Sequence, residues 1–266
     1  MLEIWLDLNT NNTDDEELNA PSGSYQVVSV REQTSCDASK IRRVIRNWLR
    51  HCYASSKYVQ SRVTAGAYCS SEDLYQKEKF PSRTNVMVRH GDFGEAVGHF
   101  ILRSHPSFSF TLPVFRLRHK HNREKSEFGF DLIGFSLAEG SNSTNTLCIG
   151  EAKTRTSKDK QVILEGHFTL ASYTRGREIE QTGRIAHWLF MQGRDEEYNK
   201  LAIFGDGWAQ EEFERRHVFI GVFDKALLLQ EMIEAMNEVD EVLSTFSVCA
   251  VLIEDLRDNI EEAYKP

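Results

Sequence analysis

GFDLIGFSLAEGSNSTNTLCIGEAK, residues 129–153, contains two short apolar runs separated by a stretch of turn-forming residues. Runs of this length bounded by Gly, Ser and Asn read as β-strands joined by a hairpin connection, here GFDLIGFSL and TLCIGEAK around EGSNSTN. Each strand carries charge that its apolar surroundings do not invite: Asp131 in the first, Glu151 and Lys153 at the end of the second. A buried carboxylate or ammonium without a partner is costly, so these positions need a reason. Alternate residues of a strand share a face, which aims Glu151 and Lys153 the same way, about 7 Å apart along the chain. The hairpin brings Asp131 beside them.

Upstream, GDFGEAVGHFILRS from Asp92 has helical spacing, with Phe93, Ala96, Val97, Phe100 and Ile101 on one face, Glu95 among them in sequence and Pro106 marking the end. Between helix and hairpin, FSFTLPVFRLRHK alternates as a strand. Downstream, the basic segment KTRTSKDK leads into a helical region over residues 159–193, broken near Gly176 or Gly183. HVFIGVF follows as a buried strand, DKALLLQEMIEAMNEVDEV as an amphipathic helix and FSVCAVLI as a last strand. The stripe Leu228, Met232, Ile233, Met236 and Val239 reads as core packing, and His187 and Trp188 as core or near-core. Towards the start, MLEIWLDL and SYQVVSV read as strands, and Asp37 caps a helix over residues 38–53 that sets Arg42, Arg43, Arg46 and Arg50 opposite its apolar face. Residues 54–85 give no clear pattern. The order from residue 92 is helix, three strands, helix, strand, helix, strand, which predicts an α/β fold with a mixed sheet flanked by helices. We divide the chain into an N-terminal extension, 1–89, and a core, 90–266.

With 266 residues, 40% hydrophobic and 27% charged, the chain is expected to form a packed core. Five scattered cysteines without a CxxC pair argue against a disulfide framework and a structural zinc site. No run reaches the ~20 apolar residues of a membrane span, and the acidic start is unlike a signal peptide, so the expected location is the cytoplasm. The net charge of −8 is unevenly spread: −6 on residues 1–30 and −11 on residues 194–266 leave +9 between them. A basic middle flanked by acidic ends is compatible with a phosphate-binding surface beside segments that shield it or dock a partner, and also with a solvated basic face.

Two carboxylates converging with a lysine have the chemistry of a hard-cation site, since Mg²⁺ or Mn²⁺ takes oxygen ligands and keeps waters, one of which can become a nucleophile. Lys153 would position that water or neutralise charge developing on a phosphate. A salt bridge at the strand end is the alternative reading of the same residues. Around them, Arg116, Arg118, Lys120, Arg155 and Lys158 suit backbone contacts to DNA. His119 and His121 sit at strand spacing without a third ligand nearby and read as part of this basic rim.

Glu95 in HGDFGEAVGHF, Asp131 in GFDLIGF, and Glu151 with Lys153 in CIGEAK together resemble the PD-(D/E)XK nuclease superfamily, with Phe130 where that family has proline. The resemblance covers roughly residues 90–225 and implies a restriction-endonuclease-like fold. It further implies metal ligation by Asp131, Glu151 and the Ala152 carbonyl, assisted by Glu95, and DNA phosphodiester hydrolysis. Gln161 and Gln181 lack the following Tyr of the Gln-Tyr element some members carry, so that element is not assigned. At finer grain the same segments resemble the nuclease effector subunits of Hachiman-type anti-phage defence, the HamA family, which implies a superfamily 2 helicase partner. A non-catalytic nucleic-acid-binding or regulatory subunit, and a site-specific restriction-type endonuclease, are the alternatives.

Overall fold

The structure, a computed structural model, describes residues 6–8, 25–33, 37–108, 110–111, 115–126, 129–138, 144–173, 175–205, 213–227, 229–239 and 242–266. Its elements are β1 (Leu6–Asp7), β2 (Gln26–Glu32), α1 (Ala38–Tyr53), α2 (Ser56–Thr64), α3 (Ser71–Leu74) and α4 (Val86–Ser104). After α4 come β3 (Leu132–Ser136), β4 (Asn145–Arg155), α5 (Val162–Ala171), α6 (Arg175–Met191), α7 (Asp195–Gly205), β5 (Phe213–Asp224), α8 (Leu229–Glu234), β6 (Phe246–Ile253) and α9 (Leu256–Ala263).

The strands form one mixed sheet in the order β1-β2-β6-β5-β4-β3. β4, β5, β6 and β2 run parallel, and the two edge strands are antiparallel to their neighbours. Central parallel strands are covered on both faces and so read as nearly continuous apolar runs. β5 follows this rule: Val218, Ile220 and Val222 face one core, Phe219 and Phe223 the other. The first core is closed by α1, α4 and α9, through residues such as Leu49, Phe93, Val97, Ile101 and Ile260. The second is closed by α5, α6, α7 and α8, through Val162, Ile163, Leu189, Phe204, Met232 and Ile233.

α4 lies close on the sheet because two glycines face it. A methyl group at Gly94 would stand 2.5 Å from Thr154 Oγ1, and one at Gly98 would stand 2.7 Å from Leu132 Cδ1. The absent side chains therefore let the helix backbone approach β4 and β3, which sets the depth of the neighbouring Glu95.

Several expectations hold. Asp37 caps α1 by accepting from the Ser39 and Lys40 amides, and Phe93, Ala96, Val97, Phe100 and Ile101 are buried. Met232, Ile233 and Met236 are core, Val239 is packed against it, and Leu228 lies outside the described residues. Of MLEIWLDL, only Leu6–Asp7 is described as strand, residues 1–5 lying outside.

Other expectations need correction. FSFTLPVFRLRHK is not a strand where it is described: Thr111 makes a single bridge to Phe135, and Arg116–His119 is a 3₁₀ turn. Its residues serve different neighbours, with Leu117 in the core, Arg116 on Glu95 and Arg118 on His51, which a flat two-sided strand could not supply. Among the described residues, the order after α4 is thus two strands, β3 and β4, rather than three. The 159–193 region is helical as expected and breaks near Gly176, between α5 and α6, while Gly183 lies inside α6. His187 is exposed on α6 rather than core, whereas Trp188 is near-core as expected, partly buried against the second core. The boundary drawn at 89/90 falls inside α4, and the elements before it share the sheet and core of those after it: β2 pairs with β6, and α1 packs in the first core. No helix among the described residues is long and apolar enough to cross a membrane.

Candidate active site

The hairpin does what its sequence requires. β3 and β4 pair antiparallel with Leu132 opposite Gly150, so Asp131, just before β3, stands next to Glu151 on β4. The Ala152 amide donates to Asp131 Oδ2 at 3.0 Å, tying the loop carboxylate to the strand. Glu151 is buried, and its Oε1 accepts from Lys153 Nζ at 2.6 Å. The Tyr173 hydroxyl, from the chain between α5 and α6, reaches Glu151 Oε2 at 3.5 Å. Glu95, buried on α4, comes in from the helix side.

Between these acids sits Arg116. Its guanidinium pairs with Glu95 and, at 2.8 Å, with Asp131 Oδ1, and donates to the Gly129 and Phe130 carbonyls at 3.3 and 3.2 Å. Glu95, Arg116, Asp131, Glu151, Ala152, Lys153 and Arg155 all line one cleft of about 380 Å³.

Burial dominates the electrostatics. Desolvation lifts the Glu95 carboxyl to about 8 against the pull of Arg116, with the Asp131 charge adding to the rise. Desolvation and then Asp131 lift Glu151 to about 7, against the pull of Lys153. The Tyr173 hydroxyl is raised by burial and by the charges of Glu151 and Asp131. Burial works to lower the Arg116 pKa, but Glu95 and Asp131 outweigh it and hold the guanidinium charged.

Among the described residues, no three His, Cys, Asp or Glu side chains are arranged to hold a metal ion, and Arg116 and Lys153 pair with the acids of the cleft. The donor set is nonetheless all oxygen: two adjacent carboxylates and a backbone carbonyl, with negative charge crowded enough to push protons on. That is the chemistry of a hard cation, not of zinc or copper.

The sequence expectations sort unevenly. Asp131, Glu151, Lys153, Ala152 and Glu95 come together in one cleft. Arg116 and Lys120, expected on a DNA-facing rim, are interior. Arg116 is the counter-ion of the site, and Lys120 is 5% exposed and paired with buried Asp92 at 2.6 Å. Arg118 donates to the His51 carbonyl at 2.8 Å and covers Phe115, so it serves the fold. Arg155 lines the cleft while paired with Asp159 at 2.7 Å, and Lys158 is exposed beyond it, paired with Glu231 at 2.8 Å. His119 lies against Trp188, and both His119 and His121 line a cavity beside that tryptophan. Sequence reasoning placed Arg116 on the DNA-facing rim instead of between the acids, and missed Tyr173 altogether. An arginine in an alternating apolar segment gives no sign that it turns inward, and the Tyr173 pairing depends on where α5 ends.

A sequence model of the HamA family matches residues 1–165. No curated protein matches the chain. The matched span exceeds half of the 266 residues and contains Glu95, Arg116, Asp131, Glu151 and Lys153. The chain therefore belongs to the HamA family, which places it in Hachiman anti-phage defence.

Proposed function

We propose that this chain is the nuclease effector of its defence system, a Mg²⁺- or Mn²⁺-dependent deoxyribonuclease of the PD-(D/E)XK type that hydrolyses phosphodiester bonds with water. The observation that carries this reading is the crowding of Glu95, Asp131 and Glu151 in one cleft, two of them pushed towards protonation near neutral pH. Such crowding weakens the fold unless a cation relieves it, and strongly perturbed acids in a cleft mark functional sites more often than structural ones. Asp131, Glu151 and the Ala152 carbonyl are the groups that would hold the ion, which when bound polarises a phosphoryl oxygen and acidifies a water. Lys153 sits on the cleft side of Glu151, where its ammonium can donate to the attacking water or to charge developing on the phosphate. Arg116 fixes Asp131 and Glu95 from behind. Arg155, in the cleft wall, can contact a flanking phosphate.

The test is plasmid degradation by the purified protein with and without Mg²⁺ or Mn²⁺. Asp131→Ala, Glu151→Ala and Lys153→Ala are each expected to lower the rate on the order of 10²-fold or more while the far-ultraviolet spectrum is kept. Undiminished degradation by Glu151→Ala combined with Lys153→Ala sinks the reading. A smear or complete loss of DNA is expected; discrete bands from unrelated plasmids would identify a site-specific endonuclease instead. The helicase partner rests on family membership and is tested by co-purification with a superfamily 2 helicase encoded beside the gene.

One observation favours a second reading, a non-catalytic nucleic-acid-binding or regulatory subunit: Arg116 and Lys153 already neutralise the acids. Titration calorimetry with Mn²⁺ separates the two. Heat of binding lost in Asp131→Ala supports the enzyme, and no heat supports the regulatory subunit.

A further inference from the structure

A second cavity, of about 190 Å³, lies on the other side of Arg116 and shares both Arg116 and Asp131 with the catalytic cleft. Its walls are unlike those of the cleft. Phe130, Ile133, Ile185 and Trp188 make it largely apolar and aromatic, and Gln181 and Arg184 from α6 add an amide and a cation. Gln181 packs on Gly129, where a Cβ would stand 2.8 Å from its Oε1 and φ is +117°, so the backbone there is shaped to the glutamine amide. His119 also lines the cavity, and its buried Nε2 has no hydrogen-bond partner. Burial, followed by the charge of Arg118, holds that imidazole down to about 4, so it is neutral at ordinary pH.

We propose that this cavity is a nucleobase pocket that takes one unpaired base of the strand whose phosphate lies in the catalytic cleft. The inference rests on the nuclease reading above and gives it a substrate class: single-stranded DNA, or duplex opened at the point of attack. Three features select a base over other ligands. Aromatic and apolar walls suit a planar ring, because every base has a π-face to stack. A neutral imidazole and an amide offer both donor and acceptor capacity, which matches the edge of a base better than a phosphate or an aliphatic chain. The shared wall of Arg116 and Asp131 sets the pocket next to the phosphodiester site, as a base is joined to its phosphate through one sugar. A base within a duplex is stacked on both faces and paired at its edge, so it must leave the helix to enter. Arg184, exposed at the rim, is placed to meet a further phosphate.

The experiment measures binding without cleavage, in EDTA, by fluorescence anisotropy of the full-length protein. The ligands are a short labelled single strand, the same strand made of base-free nucleotides, and the normal strand annealed to its complement. The normal strand is expected to bind about tenfold tighter than the base-free one, in the range that one base–aromatic stack contributes, and tighter than the duplex. Trp188→Ala is expected to erase the difference between normal and base-free strands. Gln181→Ala, at a half-buried position, narrows it even if the tryptophan variant folds poorly. A 5-iodouracil strand is expected to crosslink to Trp188 or Phe130. Equal affinity for normal and base-free strands, or a crosslink elsewhere, overturns the pocket. If Mg²⁺-dependent cleavage persists alongside equal affinities, only the pocket fails. If base discrimination persists without any cleavage, only the nuclease reading fails.

Discussion

Arg116 is mostly buried, and its guanidinium spans Glu95 and Asp131. Removing it leaves two carboxylates in a low-dielectric cleft without a counter-ion, and breaking a buried pair from one side costs about 3–5 kcal/mol. Arg116→Ala is therefore expected to lower unfolding stability by that order in urea denaturation; a loss below ~1 kcal/mol would mean the acids are not held as described. The same carboxyls set a pH dependence. Glu95 and Glu151 titrate near 8 and 7 in the folded protein against 4.5 ordinarily, so the native state binds more protons than the unfolded chain between these values. Metal-free stability from this pair is full below about pH 4.5 and declines as pH rises through 7 to 8. A divalent cation replaces those protons, so the rise in melting temperature on adding Mg²⁺ is expected to be small at pH 6 and larger at pH 8. Glu151→Gln flattens that trend, and an equal rise at both pH values in the wild type would count against a cation at these acids. At this scale Asp131, Glu151 and Lys153 were legible because charge in apolar strands demands an explanation. Arg116 was not, since its partners lie 21 residues before it on α4 and 15 after it just ahead of β3, and nothing in the intervening sequence joins them.

At the scale of elements, the depth of α4 on the sheet decides whether Glu95 reaches Arg116. Gly94→Ala places a methyl group against Thr154 Oγ1, on the strand that carries Glu151, so the helix or the threonine must shift. Overpacking of this kind costs about 1–3 kcal/mol, and we expect Gly94→Ala to destabilise by that order and to lower cleavage with it. Gly91, one turn earlier in the same helix, has nothing within 4 Å of a Cβ. Gly91→Ala is expected to stabilise by about 0.5–1 kcal/mol, as alanine does in a helix interior. Chemical denaturation of the two variants measures the contrast, and a loss in both would show that helix–sheet distance is not what Gly94 controls. α1 with its Asp37 cap and α4 from Asp92 onward were legible, as were the continuous apolar runs of β4, β5 and β6, but the start of α4 behind its Asn85 cap was not. FSFTLPVFRLRHK misled because alternation of apolar and basic residues also describes a 3₁₀ turn whose side chains leave in three directions. α7 and α9 went unread: α9 has a short apolar face, Leu256, Ile260 and Ala263, that gains meaning only against α1 and α4.

For the whole molecule, the proposed DNA substrate requires a chain of net charge −8 to approach a polyanion. Dividing the charge by segment gives a middle of net +9, within which several of the bases are held by acids of the same segment. Lys120 is spent on Asp92, Arg116 on Glu95 and Asp131, and Arg155 on Asp159 and Glu165. These acids are already counted in the +9, so what segment arithmetic misses is pairing to the acidic end, such as that of Lys158 and Lys160 with Glu231. The pairing just outside the cleft is the one open to test. Lys158 and Lys160 follow Ser157, the last residue of the cleft wall, and both reach Glu231, at 2.8 and 2.6 Å. These lysines are about half exposed, so their pairing with Glu231 adds little to stability. Its larger consequence is for DNA, since each ammonium must leave the carboxylate before it can displace counter-ions from phosphate. Glu231→Ala is expected to leave the fold intact and tighten DNA binding, with the slope of log K against log[salt] steepening by roughly 0.9 for each lysine so released, or ~0.7 on single strands. Lys158→Ala combined with Lys160→Ala should do the reverse. An unchanged salt slope in both variants would place the DNA path away from this rim and leave the cleft to be approached from the side of α4.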